Sequence, residues 1–116
     1  MNVVIWTHVQ EGRQTWEWKQ AHKISAWPPF LPLPIPGDLL QLVEADPKDP
    51  ETGDLLSRVL AREVYPLGSA DSGEIVFASI STESVYPDFD EDGALGRLYD
   101  RLEAAGWVTH RQSPIG

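Results

Sequence analysis

The chain has 116 residues, no cysteine, and eighteen acidic against nine basic side chains, a formal charge of −9. This is the length of one ordinary domain, and the missing cysteines exclude a disulfide framework, a thiolate zinc site and a cysteine nucleophile. The negative surface repels phosphate backbones with no Lys/Arg cluster to offset it, so direct nucleic-acid binding is not expected and the charge serves solubility.

No basic segment precedes the apolar start MNVVIWTHVQ, so no secretory signal is expected. The longest uncharged run, Ile24 to Gly37, is interrupted by Pro28, Pro29, Pro32, Pro34 and Pro36. No membrane-spanning helix tolerates so many breaks, and the expected location is the cytoplasm.

Val3 to Gln10 is β-branched and aromatic and predicts a strand. Glu11-Gly12-Arg13-Gln14 supplies a turn, and Thr15 to about Gln20 returns as the second arm of a hairpin. A two-residue loop at Gly12-Arg13 sets Val9 opposite Trp16, Thr7 opposite Trp18 and His8 opposite Glu17. Trp16 and Trp18 then join Val3, Ile5 and Val9 on the core face, a placement that a one-residue change of loop would undo.

The stretch Trp27-Pro-Pro-Phe-Leu-Pro-Leu-Pro-Ile-Pro-Gly37 is neither helix nor central strand. It is read as an apolar strap whose Trp27, Phe30, Leu31, Leu33 and Ile35 need a cover, from their own core or from a neighbouring subunit. Asp38 to Asp46 predicts a buried strand through Leu39, Leu40, Leu42 and Val43. Residues 46–54, DPKDPETGD, form a polar loop. Leu55 to Tyr65 fits helical and strand spacing almost equally, and its turn-like flanks favour a strand. The segment 68–73 reads as a hairpin loop, followed by a clear strand through Ser81.

A helix over 88–106 ends the succession. Asp88 with Glu91 resembles a capping box, and Leu95, Leu98, Tyr99 and Leu102 form one apolar stripe. Gly106 is placed to stop the helix, with Trp107 and Val108 set to pack back on its end. The expectation is a single α+β domain over 1–116. Its sheet is antiparallel, curled or an open barrel of about five strands, with one C-terminal amphipathic helix.

Candidate chemistry is sparse. His8 facing Glu17 is the best acid/base pair, since a carboxylate raises an imidazole's pKa and sets its tautomer; the alternative is a cross-strand polar pair on a wet face. Asp88, Asp90, Asp92 and Gly93 match the first half of a calcium loop, but the twelfth position, where a bidentate Glu belongs, is Tyr99. Those acids are equally accounted for as helix-start residues. His8, His22 and His110 share no ligand spacing, and neither a metal nor a cofactor is expected. Trp6, Trp16, Trp18 and Trp27 line either a cleft for a flat apolar or aromatic ligand or simply a core. Pro29-Phe-Leu-Pro32 is a P-x-x-P match without the nearby basic residues that orient such ligands.

A short acidic chain with no recognisable site resembles, in its general type, the products of mobile integron gene cassettes, a resemblance that implies no activity. Three functions stay open. The first is a non-enzymatic interaction protein that self-associates through 27–36. The second is a small cofactor-independent enzyme using His8 and Glu17 beside a tryptophan-lined pocket. The third is an acidic protein that occupies a basic nucleic-acid-binding partner.

Overall fold

A computed structural model describes residues 1–10, 18–44, 55–71, 73–84 and 94–110. Within them lie β1 (Asn2–Gln10), β2 (Trp18–Ala26), β3 (Leu39–Val43), β4 (Leu55–Asp71), β5 (Glu74–Ser84), α1 (Ala94–Ala104) and β6 (Val108–His110). The strands form one sheet in the order β3-β4-β5-β1-β2-β6, curled into a half-barrel. The architecture is α+β but dominated by the sheet.

Three features depart from the sequence expectation. The sheet is mixed, because β1 and β5 run parallel, with Val3 beside Ala78 and Thr7 beside Thr82. The other neighbouring pairs are antiparallel. A parallel pair needs a long crossover, and no local pattern signals which distant strand will return. The helix is not the last element: β6 follows it and pairs along β2. Finally, β3 is an edge strand with Leu39 exposed and Leu40, Leu42 and Val43 only half-buried, not a buried strand.

The segment 55–65 is strand, and it runs on to Asp71 through what was expected to be a hairpin loop. The ladder passes from Val64↔Ala78 to Ser69↔Val76, so Tyr65, Pro66, Leu67 and Gly68 face Phe77 alone. This wide bulge explains how a proline sits in a strand, since the missing N–H falls where the ladder is already broken. Gly68 adopts φ 81°, and a Cβ there would lie 2.7 Å from Ile75 Cγ2. Only glycine takes that conformation without strain.

The core lies between the sheet's inner face and α1. Val3, Ile5, Ala21 and Ala78 meet Tyr99, Leu102 and Trp107, and Trp27, Leu33, Leu40, Leu42 and Val43 pack around them. The helix touches both β3 and β6, the two edges of the sheet, and so plugs the gap that the curl leaves open. The helix stops as expected. Gly106 (φ 91°) donates its N–H to Glu103 O at 3.0 Å, and Trp107 N–H donates to Leu102 O at 3.0 Å. This double return is the Schellman arrangement, and it drives Trp107 into the core. Lys23 Nζ from β2 donates to Ala105 O at 2.8 Å, placing a cation on the helix's negative end. The helix-start residues 88–93, with Asp88, Asp90 and Asp92, lie outside the described residues, while Tyr99 sits in the core.

One polar seam crosses this apolar interior. Thr7, Ser57 and Thr82 are fully buried. Ser57 Oγ donates to Thr82 Oγ1 at 2.6 Å, and Thr82 Oγ1 donates to the Trp6 carbonyl at 2.8 Å. Each hydroxyl has one hydrogen, so the 3.1 Å contact between Thr7 and Ser57 is donated by Thr7. Three strands are thereby tied by a directed chain of hydroxyls.

Candidate functional site

The chemistry-bearing side chains gather on the outer face of the β1–β2–β6 end of the sheet. Antiparallel partners share a face. Trp6 is opposite His22 and His8 is opposite Gln20 across β1–β2, while Gln20 is opposite His110 across β2–β6. The three histidines of the chain therefore lie on one face, with Trp6 among them. Sequence spacing hid this, because positions 8, 22 and 110 meet only through strand pairing.

The register also moves the expected acid/base pair. Gln20, not Glu17, is opposite His8, and Trp18 is opposite Gln10, not Thr7. The β2 partner of each β1 residue thus lies three positions later than expected, which shifts the whole ladder. Glu17 and Trp16 lie outside the described residues. The carboxylate placed beside His8 is instead Glu83, its parallel partner on β5. Burial holds the His8 imidazole below its ordinary value of 6.5, and the opposing pull of Glu83 does not overcome it. The expected rise is thus reversed, because half-burying an imidazole penalises its charged form.

His22 and His110 form the tightest contact. His22 Nδ1 and His110 Nε2 are 2.9 Å apart, one ring donating to the other. Their centroids are 5.0 Å apart and their planes differ by 17°. Most of the centroid separation lies along the N···N line, so the rings are nearly coplanar and edge to edge. The Trp6 indole lies against this plate, 4.5 Å from His22 at 34° and 5.9 Å from His110 at 21°. His22 is 8% exposed, whereas His110 is exposed on its edge strand. Burial, and then the neighbouring His110, hold His22 below 6.5, with Asp71 pulling the other way.

No protein-family model, curated protein or solved structure matches the chain. The site is therefore read from its own geometry. Among the described residues no three His, Asp or Glu side chains converge as a metal cluster, and no helix is long and apolar enough to cross a membrane.

The proline-rich strap is the second candidate surface. Trp27 and Leu33 pack inward on the core, and Pro34 is buried. Trp27 Nε1 donates to Leu31 O at 2.9 Å, Arg62 Nη1 reaches Leu33 O at 3.5 Å, and Gly37 N–H donates to Val59 O at 2.8 Å. Anchored in this way, the strap leaves Phe30 87% exposed and Leu31 and Ile35 about half exposed. The strap thus covers its own core with one side and shows an apolar surface with the other. Of the tryptophans expected to line a cleft, Trp6 joins the histidine face while Trp27 anchors the strap.

Proposed function

We propose that this chain is a small acidic interaction protein that self-associates through the outer side of the strap at 27–36. The observation that carries this reading is Phe30, held almost fully exposed on an anchored backbone beside Leu31 and Ile35. A rigid apolar surface gains the full free energy of burial on docking while losing little conformational freedom. Leu39, the first residue of β3, is also exposed, and β3 is an edge strand among the described residues, a template for a second chain. Size exclusion with light scattering tests the reading. A dimer or larger species at tens of micromolar, converted to monomer by Phe30→Ser with Ile35→Ser, supports it. A monomeric parent protein at that concentration overturns it.

A second reading, a small cofactor-independent enzyme, is favoured by one arrangement, the half-buried His8 beside Glu83 and near Trp6. An imidazole kept neutral near pH 7 is a competent general base. A thermal-shift screen of small metabolites followed by turnover assays tests it. Any activity found should vanish in His8→Ala, and activity that survives the substitution removes His8 from the role.

A further inference from the structure

The His22–His110 contact places two nitrogen donors on one line, against the face of an indole. We infer that this pair is a two-nitrogen site for a soft monovalent cation, Cu(I), with the indole of Trp6 as its cap. Three observations lead there.

The first is the direction of the donors. Because the rings meet edge to edge in nearly one plane, the Nδ1 lone-pair direction of His22 and the Nε2 direction of His110 oppose each other. A closed-shell Cu(I) ion accepts two opposed imidazoles, and imidazole nitrogen is a good copper donor. Zinc, calcium and magnesium instead require four or more ligands.

The second is the surroundings. The Trp6 face lies against both rings, and an indole face attracts a cation. The negative field of Asp71 also reaches His22. The ring face and the Asp71 field both offset the burial that disfavours a positive charge on His22.

The third is room to open. Metal–nitrogen bonds of about 2 Å require the facing nitrogens to part by on the order of 1 Å. His110 can supply that movement, because its ring is exposed on a three-residue edge strand. Binding needs no electron transfer. The ring that donates the shared hydrogen bond shifts that proton to its other nitrogen through solvent. Both imidazoles stay neutral, the ion brings the only added charge, and no proton is released.

The test is an anaerobic titration of the full chain with Cu(I) at pH 7.5, against bicinchoninate as a coloured competitor. The histidine side-chain nitrogen spectrum is followed in parallel. The expected result is withdrawal of one Cu(I) per chain, with signals of His22 and His110 shifting and those of His8 unchanged. His110→Gln, at an exposed position, should keep the fold and lower the affinity about tenfold or more, and His8→Gln should bind as the parent does. No withdrawal of copper overturns the inference. So does equal binding by His110→Gln, or Zn(II) bound through the same pair as tightly as Cu(I).

Discussion

His22 and His110 meet nitrogen to nitrogen at 2.9 Å although 88 positions separate them along the chain. The contact exists because β6 returns from the helix to pair with β2, setting Val108 opposite His22 and His110 opposite Gln20. The two histidines are therefore diagonal neighbours on one sheet face, close enough for direct contact.

Acid should weaken the fold through this face. Burial lowers both His22 and His8 from 6.5, so below that pH the unfolded chain binds protons that the folded chain resists. Stability is complete above pH 6.5 and falls as pH drops, until it passes the lowered folded values and the loss is complete. Thermal melts between about pH 7.5 and about pH 5 should show a falling Tm, and His22→Gln should flatten the slope. An unchanged slope in that variant would remove His22 as a contributor.

The hydroxyl chain Thr7–Ser57–Thr82 predicts a cost for an isosteric change. Thr82→Val removes the donor to the Trp6 carbonyl and the acceptor for Ser57 while keeping the shape. The buried Ser57 hydroxyl loses its acceptor and the Trp6 carbonyl loses a donor, and urea titration should show a loss of about 1–3 kcal/mol. Adding Ser57→Ala should cost less than its separate effect, because the chain is already cut.

Gly68→Ala tests the bulge in β4. The Ile75 methyl in its way belongs to an exposed side chain that can swing aside, so the left-handed backbone decides the outcome. The expected loss is about 1–2 kcal/mol, with Gly68→Asn milder because asparagine tolerates that conformation.

Leu102→Ala empties a fully buried position between helix and sheet. The expected destabilisation is about 2–5 kcal/mol by denaturant midpoint. Ala104→Ser, on the exposed side of the same turn, should fall within about 0.5 kcal/mol of the parent.

What could be read in the sequence was what is local. Gly106 with Trp107 announced the helix end because a Schellman stop needs only adjacent residues. The alternation of EIVFASIS announced β5, and the prolines of 28–36 excluded a central strand. The β1–β2 register was not legible, because it depends on how many residues the loop takes, and an odd shift exchanges the two faces. That is why His8 was matched with Glu17 when its neighbours are Gln20 and Glu83. The parallel β1–β5 pair and the His22–His110 contact had no local signal at all. The segment from Gly68 reads as a hairpin loop, yet a bulge absorbs Pro66 and Gly68 and the strand continues to Asp71.

The parallel pairing has a consequence for how the molecule is made. β1 lies at the centre of the sheet, between β2 and β5, but of its two neighbours only β2 is close in sequence. The early hairpin carries an open flank until Val3 finds Ala78, and its far side stays open until Val108 arrives beside His22. Closing such long loops before their contacts repay the entropy slows folding. Until those strands arrive, the β1–β2 pair carries open strand edges that expose it to mispairing.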